Sequence, residues 1–168
     1  WLSDYDGSYM GALAEAVTDL GLASWAIAYR RVGEPGGGWP GTFLDVGAAV
    51  DHLRWLSRDQ PIDAERVIAI GHSAGGHLAL WLAGRGAIPE SSELFDPDPL
   101  PIDGVLALAA AADVGFLAER GDCDAAARLL MDGLAEERPN RYAAGSPIEL
   151  APLDVPQILV NGGLDEQW

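Results

Sequence analysis

Apolar positions along this chain switch between helical and strand-like spacing, and each switch marks a new element. Met10, Leu13, Val17 and Leu20 recur on one helical face, with Ser8 placed to cap the helix and Gly21 to end it. The short apolar run Ser24–Tyr29 predicts a strand. Arg30 to Gly41 reads as a loop, with three consecutive glycines and Trp39. Thr42 starts the next helix, with Asp45 three residues on as a short-chain capping box and Phe43, Val46, Val50 and Leu53 as its buried stripe. Gln60-Pro61 closes it. Val67–Ile70 predicts a second strand, and a helical apolar pattern follows almost at once. Gly84–Pro101 is a loop rich in Pro, Ser and Asp. Gly104–Ala109 predicts a third strand. Val114–Glu119 and Asp124–Leu134 are two shorter helical patterns ended by Pro139, and Gln157–Val160 is the last strand.

Within each strand the hydrophobicity is nearly continuous rather than alternating. Such strands are covered on both faces, which predicts an α/β fold: a three-layer sandwich with a mostly parallel sheet and helices on both sides. Right-handed crossovers follow. Sites in such sheets lie beyond the carboxyl ends of the strands. Ser73 and Asp165 both fall just past such ends.

The densest information lies at Gly71-His72-Ser73-Ala74-Gly75-Gly76. A β-branched strand runs into Gly-x-Ser-x-Gly, and a helix follows. This is the layout of a nucleophile elbow, in which a sharp, strained turn holds a serine clear of the sheet. Gly71 and Gly75 flank the serine where a Cβ is expected to crowd it, and Gly76 lets the helix approach neighbouring strands. The helix N-terminus directs free N–H groups at the serine, so the Ala74 N–H is the candidate oxyanion donor.

Composition changes this picture little. The 168 residues suffice for one domain, and a net charge of −16 argues against nucleic acid and anionic membranes as partners. Cys123 is the only cysteine, which excludes an internal disulfide and a cysteine metal site. No apolar run reaches the roughly 18 residues of a membrane span. The chain begins at Trp1 rather than Met, so a leader is not visible; the cysteine usage favours the cytoplasm.

Gly71 to His77, the preceding Pro61 to Val67, and Tyr29-Arg30-Arg31 leading into Gly-Trp-Pro-Gly and Asp45 together resemble the α/β-hydrolase superfamily. The likeness is to its esterase-like branch, which includes arylformamidase (kynurenine formamidase) and feruloyl-esterase-like or hormone-sensitive-lipase-like enzymes. It implies a triad in the chain order Ser, acid, His. Ser73 matches the nucleophile. Asp165, in an Asn-Gly-Gly-Leu-Asp that resembles the family's His-Gly-x-x-Asp, matches the acid, with Asp113 as runner-up. His52, His72 and His77 all precede Asp165, whereas the family's base follows the acid. His77 reads as a packed core histidine, His52 as solvated, and His72 as a substrate-pocket candidate turned away from the serine hydroxyl.

The family's oxyanion motif His-Gly-Gly-x-Trp is absent, although Trp1 fits its final residue. The resemblance therefore implies a single partial domain over residues 1–168, cut short at both ends, with 113–145 as a cap segment. Trp1, Trp39, Phe116 and Tyr142 are candidate pocket residues, with packing roles as the competing reading. The implied reaction is hydrolysis of a small-molecule ester or amide (a carboxylic ester or an aryl formamide) through an acyl-enzyme on Ser73. It needs no metal and no other cofactor. The chain alone is expected to be inactive for want of the base. The alternatives are a non-catalytic binder of the same fold, or a serine peptidase-like member.

Overall fold

The computed structural model describes residues 1–4, 7–120 and 125–163. Its centre is the helix α4, Ala74–Gly84, whose sequence is apolar all round and which is accordingly buried on nearly every side, from Gly76 through Leu82. α4 lies against β1 (Ile68–His72) and β2 (Gly104–Leu108). These strands and β3 (Gln157–Val160) form a parallel sheet in the order β1-β2-β3, with Ala69 opposite Val105 and Leu106 opposite Ile158. The alternation of a strand puts Ala69, Val105 and Ala107 on one face, and all three are buried.

Before β1 come α1 (Gly11–Asp19), α2 (Gly41–Asp51) and α3 (Leu53–Leu56). After β2 come α5 (Val114–Arg120), α6 (Ala126–Met131) and α7 (Pro139–Gly145). Phe43, Val46 and Val50 of α2, Trp81 of α4, Leu130 of α6 and Tyr142 of α7 share one hydrophobic cluster. At the far end of α4 the buried Arg85 donates to both carboxylate oxygens of Asp51, at 2.9 and 2.7 Å, and to Asp96 at 3.1 Å. Burial works to raise the Asp51 pKa. The bonds from Arg85 and from the Leu100 N–H outweigh it and hold the carboxylate below its ordinary value.

Four expectations need correction. Ser24–Tyr29 is not a strand. It carries no ladder, and the nearby bridge joins Leu2 to Val32. Apolar composition favours extension, but a strand also needs a neighbour's N–H and C=O groups. Ser8 does not cap α1, which begins after a 3-10 turn over Gly7–Met10. Thr42 is inside α2 rather than at its cap. Its hydroxyl donates to the Arg30 carbonyl at 2.6 Å and accepts from the Gly38 N–H at 3.0 Å, while Asp45 is taken by the Arg30 N–H and guanidinium. Pro139 opens α7 instead of ending a helix. Proline is tolerated there because the first-turn N–H lacks a helical partner.

The expectation that every strand is covered on both faces fails at β3. Ile158, Leu159 and Val160 are exposed, as is Ile68 of β1. Among the described residues β3 pairs on one side only, with β2. An apolar edge of this kind invites pairing with another chain. Ile158→Lys is expected to lower self-association of the 168-residue chain in light scattering while leaving its circular dichroism spectrum unchanged.

Candidate active site

β1 delivers the chain to Ser73, and α4 takes it away. The turn between them puts Ser73 at φ 52° and ψ −115°, a region that L-residues avoid. Three backbone bonds hold it there. The Ser73 N–H donates to the Leu108 carbonyl at the end of β2 (2.8 Å). The Ser73 carbonyl accepts from His77 (3.0 Å), the first bond of α4, and from Ala111 (3.4 Å). Strain of roughly 1–3 kcal/mol persists only where the surroundings over-determine it. Ala109, just past β2, also has a positive φ, 43°, and its N–H donates to Val160 of β3 at 2.7 Å. Two unfavourable backbone conformations thus sit side by side at the carboxyl end of the sheet. The second had no signal in the sequence, since nothing about an alanine marks a left-handed turn.

The glycines differ in what they permit. A Cβ on Gly71 collides with the Gly75 carbonyl, and one on Gly76 comes 2.7 Å from the Ala110 Cβ. A Cβ on Gly75 meets nothing within 4 Å. The crowding expected at Gly75 is therefore absent, because its Cα points into open space. Gly76 makes room for the loop after β2. Ser73, Ala74 and Gly75 are all half-buried, open enough for a ligand to approach. Ala74 is the first residue of α4, and its N–H has no partner among the described residues. It is aligned with the positive end of the helix dipole.

None of the three imidazole rings bonds to Ser73. His52 is exposed and stacks on Trp55, with ring centroids 5.1 Å apart. His72 is half-buried, and its Nδ1 lies 3.4 Å from the Tyr9 hydroxyl. His77 is fully buried with both ring nitrogens occupied. The Trp1 indole donates to Nδ1 at 2.9 Å, and Nε2 lies 2.8 Å from the Gly145 carbonyl. Burial pushes its pKa down to about 4, and the bond to the Gly145 carbonyl only partly opposes that.

Asp113 is exposed and caps α5, accepting from the Phe116 N–H at 2.9 Å. Asp165 lies outside the described residues, as does Cys123. Among the aromatic candidates, Phe116 is 49 % exposed with the Arg120 guanidinium over its ring. Trp39 is half-buried edge-on against Phe43. Tyr142 is 4 % exposed and its hydroxyl donates to Gly133 at 2.8 Å. Its ring serves the core rather than an open pocket: it packs in the buried hydrophobic cluster, and its hydroxyl is satisfied by a backbone carbonyl. Tyr9 was not foreseen beside the site. Its place is set by the turn before α1, and helical spacing alone does not bring it to His72.

A family model, BD-FAE, matches residues 1–167. No curated protein sequence matches this chain. Among solved structures, the carboxylesterase from Lactobacillus plantarum is 18% identical with a TM-score of 0.70, covering 94% of this chain and 55% of its own. Esterase B from Lactobacillus rhamnosis is 25% identical with a TM-score of 0.72, covering 95% and 52%. A truncated carbohydrate esterase from gut microbiota is 21% identical with a TM-score of 0.65, covering 84% and 55%. The chain thus spans little more than half the length of these relatives.

Proposed function

The chain belongs to the BD-FAE family of esterase-type α/β hydrolases, and from that premise we propose that Ser73 is the nucleophile of an acyl-transfer reaction on small carboxylic esters. The observation that carries this reading is the Ser73 backbone, held at φ 52° at the mouth of a helix N-terminus. A pure binding protein has no use for that strain.

In this mechanism a base removes the Ser73 proton as the hydroxyl attacks the ester carbonyl. The negative charge that develops is held by the Ala74 N–H, already aligned with the α4 dipole and in need of no reorganisation. The acyl group passes to Ser73, the alcohol leaves with a proton, and water then releases the acid. Asp165 is the proposed acid that orients the base. With His52, His72 and His77 all committed elsewhere, we place the base histidine and the second oxyanion donor in parts of the whole protein outside this chain. Aryl formamides are the amide counterpart of the same chemistry, and the helices within 113–145 are proposed to border the acyl pocket through Phe116.

The test is hydrolysis of p-nitrophenyl acetate and of an aryl formamide by the full-length protein. Turnover is expected, with Ser73→Ala lowering kcat at least about a thousandfold. Turnover unchanged in Ser73→Ala sinks the proposal. The 168-residue chain alone is expected to show little or none.

A further inference from the structure

His77 sits four residues beyond the serine, in the first turn of the most deeply buried helix in the molecule. It is 0 % exposed, yet it is polar in a helix that is otherwise apolar. Its neighbours are aromatic: the Trp1 and Phe43 rings meet it edge-on, at centroid distances of 5.1 and 5.6 Å. A leucine or phenylalanine suits such surroundings as well, so packing does not account for an imidazole.

The hydrogen bonds do. An indole N–H can only donate, so Nδ1 of His77 accepts from Trp1 and carries no proton. A backbone carbonyl can only accept, so Nε2 carries the proton and donates to Gly145. The two partners fix one neutral tautomer and one ring orientation. They also show what the ring connects. Trp1 belongs to the segment held at Val32 by its own carbonyl, at 2.8 Å. Gly145 ends α7, and the next residue, the buried Ser146, accepts from the Val114 N–H at the start of α5, at 3.2 Å. The backbone N–H of His77 meanwhile closes the turn on the Ser73 carbonyl at 3.0 Å. One residue therefore ties the serine turn to the chain entering at Trp1 on one side and to the α5–α7 helices on the other.

We propose that His77 is a positioning residue for acyl transfer: its ring, oriented by Gly145, holds the Trp1 indole, and this Trp1 link sets the distance between the Ser73 turn and the Trp1 segment. This rests on the reading of Ser73 as nucleophile. It assigns His77 no proton transfer, since both ring nitrogens are engaged by Trp1 and Gly145. A displacement of one ångström at an acyl-transfer centre is enough to cost about a hundredfold in rate.

The two links separate by substitution. In His77→Asn the amide oxygen falls near the place of Nδ1 and keeps the acceptor for Trp1, but its short chain leaves Gly145. In His77→Gln the amide nitrogen reaches toward Gly145, but the acceptor for Trp1 is lost. Trp1→Phe removes the same link from the other end and leaves the helix untouched. Kinetics of p-nitrophenyl acetate hydrolysis by the full-length protein distinguish them. His77→Gln and Trp1→Phe are expected to lower kcat about 10–100-fold with KM within about threefold, and the double variant no further than either alone. His77→Asn is expected to restore kcat to within about threefold of the unsubstituted protein. A Trp1 indole proton that exchanges slowly in the unsubstituted protein and in His77→Asn, but rapidly in His77→Gln, reports the link independently of activity. If kcat is unchanged in Trp1→Phe and His77→Gln, and only the melting temperature falls, His77 is structural and the proposal fails while Ser73 keeps its role. If the unsubstituted protein neither turns over substrate nor depends on Ser73, both readings fall together.

Discussion

Gly71→Ala is expected to unfold the serine turn, whereas Gly75→Ala leaves it standing. The two glycines flank Ser73 symmetrically in sequence, and the structure treats them in opposite ways. A methyl group on Gly71 meets the Gly75 carbonyl, which is backbone and is itself fixed within the first turn of α4. No rotamer change relieves that overlap; β1 and α4 must move apart, and those two elements form the centre of the sheet packing. Overpacking that moves backbone costs about 3 kcal/mol or more. A methyl group on Gly75 enters open space, and within a helix alanine is better than glycine by up to about 1 kcal/mol. Urea unfolding of the single variants measures both. A loss at Gly71 no larger than at Gly75 contradicts the steric account.

The second large effect is an acid-induced loss of stability that runs through one buried ring. The unfolded chain binds a proton on His77 at a pKa near 6.5, and the folded protein at about 4. The folded-state value is the lower one, so the contribution is fully present above pH 6.5 and drains away as pH falls from 6.5 to 4. At one pKa unit per 1.4 kcal/mol, the whole of it is about 3 kcal/mol. Asp51 and Asp45, whose arginine partners hold their pKa values low, lose their contributions only at more acidic pH. Urea titrations between pH 7 and 4 are expected to show the fall, and His77→Asn to flatten it over the same range. An equal slope in that variant shows that other groups carry the pH dependence.

The sequence revealed the junction at Ser73 because three local requirements coincide there: a β-branched run, a glycine where backbones touch, and an apolar helix immediately after. The strand at 24–29 did not follow from its residues, because pairing depends on what lies beside a segment rather than within it. Pro139 misled for a related reason: a proline ends one helix or begins another according to the residues that follow. The roles of Trp1 and Gly145 were not legible at all. They meet His77 across 76 and 68 residues of chain, and no spacing rule joins positions so far apart. Gly75 shows the limit of a motif, since a glycine at a familiar place is not thereby a glycine under steric demand.

The most direct measurement is the mass of the full-length protein after reaction with a fluorophosphonate. The account predicts one phosphonyl adduct, mapped by peptide sequencing to Ser73 and absent from Ser73→Ala. An unmodified protein, or an adduct that persists in Ser73→Ala, contradicts it.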